Sequence, residues 1–135
     1  MTPVLLDTHA LIWFVMGNKT LGVRSRRLAE RALAQANLYF SAVSFWEIAQ
    51  LVFDEQLSLS SEIRVWREQV LDSGIRELAL TGEAGIRGAE AMPAHGDPCD
   101  RMIVGAVLSL RATLITADAW VLAWKGRLQR QDASL

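Results

Sequence analysis

The chain has 135 residues and a single cysteine, with 14 Lys and Arg against 15 Asp and Glu for a net charge of −1. That length fits one domain over residues 1–135, able to bury about two thirds of its unfolded surface without disulfide staples. Overall charge advertises no nucleic-acid partner. No secretory leader pattern is seen, and the longest apolar-rich segment falls far short of the ~20 residues of a membrane span, so a soluble cytoplasmic protein is expected.

Val4, Leu5 and Leu6 form an apolar run that ends abruptly in Asp7. A run with no polar alternation reads as a strand buried on both faces, which would deliver Asp7 to the mouth of an open α/β sheet. Thr8 is the expected cap of a short helix ending near Val15, and Gly17 and Asn18 break it. A helix over 23–36 carries Leu28, Ala29, Ala32 and Ala36 on one face, and Leu38, Tyr39 and Phe40 read as a second strand. Ser44 is expected to open the next helix, with Ile48, Leu51 and Val52 at helical spacing, followed by a polar connection over 54–60. Ser61 is the expected start of another helix, stopped by Gly74.

A third strand is expected over 75–80, then a glycine-punctuated helix capped by Thr81 and ended before Pro93, with a loop over 93–96. Residues 98–111 give the clearest helix, with Met102, Ile103, Ala106, Val107 and Leu110 on one face and Val104 and Leu108 widening it. A fourth strand over 112–116, a short helix over 118–124 and an edge strand near Leu128 complete the pattern. Alternating strands and helices imply a three-layer α/β sandwich whose mostly parallel sheet has four or five strands.

Four acids reach comparable positions: Asp7 after the first strand, Asp118 after the fourth, and Glu47 and Asp100 near helix starts. Each has a structural explanation. Ser44 and Glu47 match a capping box, Asp97 is a good N-cap with Pro98 at the first helical position, Asp100 complements a helix dipole, Asp118 can cap and Asp7 can turn. Jointly, four carboxylates at one sheet edge would repel strongly, since two charges ~4 Å apart cost about 4 kcal/mol at an effective dielectric near 20. A divalent cation would offset that cost, and hard oxygen donors suit Mg²⁺, or Mn²⁺ as its substitute. His9 and His95 lack a second imidazole at ligand spacing, Cys99 reads as packing, and no phosphate-binding glycine loop is present. Arg24, Arg26, Arg27 and Arg31 crowd one segment and Lys125, Arg127 and Arg130 another, either as solvated faces or as phosphate contacts.

Residues 6–13, the run Ser44, Phe45, Trp46, Glu47, Ile48, the stretch from Asp97 to Ile103 and the stretch from Leu114 to Asp118 together resemble the PIN-domain family, specifically its VapC-type toxin ribonucleases. The resemblance spans nearly the whole chain. It implies that Asp7, Glu47, Asp100 and Asp118 bind metal and carry catalysis, with Thr116 a hydroxyl near the metal, Thr8 an accessory and Asp97 an accessory acid that positions Arg101 or a metal-bound water. Cys99 departs from the family's usual aromatic residue. The implied activity is Mg²⁺-dependent endonucleolytic hydrolysis of RNA, with tRNA and rRNA as candidate classes, in a homodimer silenced by a VapB-type antitoxin. Five tryptophans offer either core or a groove for a partner helix. A haloacid-dehalogenase-type phosphatase would want an Asp where His9 stands, a response-regulator receiver wants an acidic pair and a late lysine that are not apparent, and a catalytically silent PIN-like module would not need all four acids.

Overall fold

Val4, Leu5 and Leu6 are apolar at every position because both faces of the strand they form are covered. This strand, β1 (Val4–Leu6), is the middle of a five-stranded parallel sheet in the computed structural model, which describes residues 1–93 and 96–135. The other strands are β2 (Leu38–Ser41), β3 (Arg76–Leu78), β4 (Thr113–Thr116) and β5 (Gln129–Asp132), and the order across the sheet is β3-β2-β1-β4-β5. Among the described residues seven helices connect them: α1 (Thr8–Met16), α2 (Val23–Ala34), α3 (Val43–Phe53), α4 (Ile63–Asp72), α5 (Gly82–Ala91), α6 (Pro98–Leu110) and α7 (Ala119–Ala123).

Side chains alternate across a strand, so the sheet divides the core in two. Val4, Leu6, Leu38, Phe40 and Ile115 pack with Leu11, Ala29, Ile48, Trp66 and Val70 from α1 to α4. Leu5 and Leu114 turn the other way, onto Ile103, Val104 and Val107 of α6, Ala84 of α5 and Val121 of α7. The result is the expected three-layer sandwich. The sheet is wholly parallel and includes the edge strand, which begins at Gln129 and pairs with β4 from Thr113 to Thr116. The order reverses beside β1, because β2 and β3 lie on one side of it and β4 and β5 on the other. Such a switch point leaves a crevice outside the carboxyl ends of the central strands.

α6 is seated by close helix contact rather than by bulk. A Cβ at Gly105 would lie 1.9 Å from the Ala84 carbonyl oxygen, and one at Gly88 would lie 2.2 Å from that of Arg101. These glycines bring α5 and α6 together and fix where α6 begins.

Three expected helix starts differ. Thr8 does not cap α1; Asp7 does, with extended backbone and its carboxylate accepting from Ala10 N, which leaves Thr8 as the first helical residue. The Ser44 and Glu47 capping box does not form. α3 starts one residue earlier, at Val43, after Ala42 in helical conformation, and Ser41 Oγ, at the end of β2, accepts from Val43 N at 3.2 Å. α4 starts at Ile63, with Glu62 rather than Ser61 at its cap. Thr81 caps α5, accepting from Ala84 N as expected. Among the described residues no helix is long and apolar enough to cross a membrane.

Candidate active site

Two strand ends and two helices supply the carboxylates of the switch-point crevice. Asp7 follows β1 and Asp118 follows the end of β4, while Asp100 sits in the first turn of α6 and Glu47 one turn into α3. All four line one cleft of about 420 Å³, together with Thr8, His9, Trp13 and Asp97. The helix starts are thus placed by the same residues that line the cleft. Asp97 caps α6 by accepting from Cys99 N, and Asp118 caps α7 by accepting from Val121 N, each at 2.9 Å. Capping and ligation do not compete for the whole carboxylate, because each oxygen carries two lone pairs.

Asp7 is the most deeply set acid, 7% exposed. Its Oδ1 takes the Ala10 N–H at 2.9 Å, and its Oδ2 takes the Thr116 hydroxyl at 2.6 Å. Thr116 Oγ1 in turn accepts from Asp118 N at 3.0 Å, so one buried hydroxyl ties the two strand-end acids together. Across the cleft, Thr8 Oγ1 donates to Glu47 Oε1 and lies 3.0 Å from the buried Ser44 Oγ. Thr8 has one proton, so the chain is satisfied when Ser44 donates to Thr8 and Thr8 to Glu47.

Electrostatics follows from burial and crowding. Burial, then repulsion from Asp97, Asp118, Glu47 and Asp7, pushes the Asp100 carboxyl up to about 8. Burial also raises Asp7 against the opposing hydrogen bond from Thr116, and raises Glu47 against that from Thr8. Nearby negative charge disfavours the ionised form, and a bound cation reverses that preference. The donor set therefore fits a hard divalent ion. One Glu47 oxygen, one Asp97 oxygen and Cys99 Sγ lie within 4.8 Å of one another, but burial and these same acids push the thiol up to about 11, which keeps it a neutral packing group.

Arg101 is not in the lining: its guanidinium donates to the Ala89 carbonyl at 2.8 Å. Ser44, His9 and Trp13 were not singled out as site residues from the sequence. The signal for His9 and Trp13 is their place in the first turns of a helix capped by a site acid, and for Ser44 the failure of its cap. His95 lies outside the described residues. Of the tryptophans, Trp66 is core, whereas Trp46 and Trp120 are 64% and 58% exposed.

Beyond this geometry, a PIN-domain model matches residues 4–120. The chain belongs to the PIN-domain family. It is 29% identical to ribonuclease VapC22 of Mycobacterium tuberculosis over 120 residues, covering 87% of this chain and 88% of that protein. The fold resembles that of the DNA-bound VapBC structure from Salmonella typhimurium, with a TM-score of 0.68, 17% identity and 98% of each chain covered. VapBC-1 from nontypeable Haemophilus influenzae gives 0.65, 21% identity and 98% of each chain. As a PIN domain, the chain has the five-stranded parallel sheet and carries its acids at the carboxyl edge of that sheet.

Proposed function

We propose that this PIN-domain protein is a VapC-type toxin, a single-domain Mg²⁺-dependent endoribonuclease of the cytoplasm that limits translation by cutting RNA, works as a homodimer and is held silent by a VapB-type antitoxin. The observation that carries this reading is the convergence of Asp7, Glu47, Asp100 and Asp118 on one cleft, where burial and then repulsion push the Asp100 carboxyl up to about 8. The likeness to ribonuclease VapC22 supports RNA as the substrate, and the VapBC neighbours support the antitoxin.

Asp7, Asp100 and Asp118 would hold the metal. A bound Mg²⁺ supplies Lewis-acid polarisation of the phosphate and acidifies water. The chain's own part is positional. Thr116 and Ala10 N fix both Asp7 oxygens, and Thr8 fixes Glu47 Oε1. Glu47 Oε2 remains to take the proton of the attacking water, and burial raises its proton affinity above that of an ordinary carboxylate, which makes it a better base. Water oxygen bonds to phosphorus as Glu47 takes its proton, the bond from phosphorus to the 3′ oxygen breaks, the leaving 3′ oxygen takes a proton from solvent, and the products carry 5′-phosphate and 3′-hydroxyl ends.

The test is calorimetric titration of Mg²⁺ and Mn²⁺ into antitoxin-free protein beside Asp100→Asn, followed by RNA cleavage with end-group analysis. Binding and cleavage are expected to vanish together in the variant. Ends bearing 2′,3′-cyclic phosphate, or cleavage undiminished by chelation, would overturn the mechanism.

A further inference from the structure

The two basic clusters of the sequence come apart in the fold. Lys125 and Arg127 border different hollows, and Arg130 donates to the backbone carbonyls of Trp124 and Leu128. Those side chains form no common face. Arg26 is likewise spent, on the Asn18 carbonyl at 3.1 Å and on the ring of Phe14. Arg24, Arg27 and Arg31 are different. They fall at i, i+3 and i+7 on α2, so they make one row about 10 Å long, and all three are exposed. The face opposite them is buried through Ser25, Ala29 and Ala32.

Among the described residues none of the three pairs with a carboxylate, although Glu30 borders the same hollow of about 760 Å³ between α2 and Gln131 of β5. Like charges at this spacing disfavour the helix slightly, and an anion along the row relieves that cost.

The row is also wired to the cleft. The Thr116 carbonyl accepts from Ala133 N at 2.8 Å, and the Ala133 carbonyl accepts from Gly22 N, the residue before α2, at 2.8 Å. Ser25 completes the joint, its hydroxyl donating to the Asp132 carbonyl at 2.8 Å. Gly22 admits this contact because a Cβ there would lie 2.2 Å from the Leu135 backbone. Two hydrogen bonds therefore connect the backbone of Thr116, whose hydroxyl holds Asp7, to the helix start that carries Arg24. β5, whose Gln131 borders the same hollow as the row, lies two strand spacings from β1, about 10 Å across the sheet.

We propose that the Arg24, Arg27 and Arg31 face of α2 is a docking strip for the phosphates of single-stranded RNA, holding the flank of a substrate whose scissile bond sits in the acidic cleft. This rests on the ribonuclease reading above. The chemistry fits: a polyanion must be brought to a cleft that is itself acidic, and fixed cations on a helix joined to the cleft's strand-end backbone supply the attraction that the cleft's own side chains do not. Guanidinium groups bind phosphate in a bidentate fork, which favours arginine over lysine in such a row.

The experiment uses the full chain, with Asp100→Asn as background for binding so that RNA survives, and compares Arg24→Ala, Arg27→Ala, Arg31→Ala combined against the parent. Labelled single-stranded RNA is titrated at several salt concentrations. Removing one phosphate-binding arginine should lower the slope of log affinity against log salt by ~0.7, so the triple variant should have a slope shallower by about 2. Its deficit relative to the parent should therefore shrink about 20-fold between 50 and 200 mM salt. With the acids intact, the triple variant should raise KM for a long RNA, leave kcat unchanged and cut a trinucleotide as the parent does. Arg→Lys at all three positions should restore most of the slope. An unchanged slope and KM on long RNA would overturn the docking strip while leaving the nuclease standing, and so would loss of an acidic protein partner alone. A parent that neither binds nor cuts RNA would overturn both.

Discussion

The cleft and the outer face of α2 each gather charge of one sign, yet the molecule treats them in opposite ways. In the cleft Asp7, Glu47 and Asp100 are half or fully withdrawn from water among other acids, so their charged forms are disfavoured. On α2 the arginines stand in water at helical spacing, where repulsion is screened within about a Debye length and costs little. Burial, more than the number of charges, decides which region demands a counter-ion to be stable and which merely offers one to a ligand.

The largest effect that sharpens this contrast is on catalysis. Asp100→Asn keeps the shape of α6's first turn and removes the charge at the centre of the repulsion, so cleavage should fall by roughly 10³-fold through loss of a metal ligand. The metal-free variant should melt higher than the metal-free parent. A lower melting temperature with activity retained would return Asp100 to a helix-dipole role.

Next in size is the coupling of pH and metal to stability. Asp100 is pushed from 3.8 up to about 8, with Asp7 and Glu47 raised in the same direction. For acids raised in the fold, the folded state binds more protons than the unfolded one. Their stabilising contribution is full below pH 3.8 and is lost as pH rises through about 8. With chelator present, stability should decline between about pH 5 and about pH 8 through Asp100, with Asp7 and Glu47 adding in the same direction. Saturating Mg²⁺ should flatten that decline, because it favours the ionised acids, and at a hundredfold excess over Kd it should add about 2.7 kcal/mol. Thermal melts across this range, with chelator and with Mg²⁺, read both. A metal-free curve rising over the same interval would contradict the crowding of the cleft.

A smaller effect is expected at Thr116→Val. The hydroxyl is buried and orients both strand-end acids, so its loss should weaken metal affinity about 10- to 100-fold by calorimetry while the fold survives. Unaltered affinity would mean that Asp7 is held by its cap alone.

These residues also show what was legible beforehand. β1, β4, α6 and the meeting of the four acids at one cleft were readable because unbroken apolar runs and a strong helical stripe fix their registers, and because acids after strands must lie at one edge of a parallel sheet. The capping box at Ser44 misled for a local reason. Its motif describes the first turn correctly only if no other group takes the work, and Ser41, at the end of β2, accepts from Val43 N while the Ser44 hydroxyl turns to Thr8. Thr8 was displaced likewise, because the carboxylate of Asp7 reaches Ala10 N. Both errors arose where a tertiary hydrogen bond or a neighbouring side chain overrides a local signature. The dispersal of the tail's basic residues was also out of reach, since it depends on the path of the chain between α7 and β5.

The smallest effect concerns the α2 face itself. Arg27 is exposed and makes no ion pair among the described residues, so Arg27→Ala should change stability by no more than about ±0.5 kcal/mol. The sign should be toward stabilisation at low salt, because alanine favours the helix and relieves repulsion from Arg24 and Arg31, and the gain should fade as salt rises. Unlike the acids of the cleft, it should not depend on pH between about 5 and about 8, since guanidinium groups do not titrate there. Melts of the parent and Arg27→Ala across salt and pH would check it. A pH-dependent loss of stability would mean that Arg27 is compensating the cleft's charge through the fold, and the two regions would then be one electrostatic unit rather than neighbours joined by a backbone.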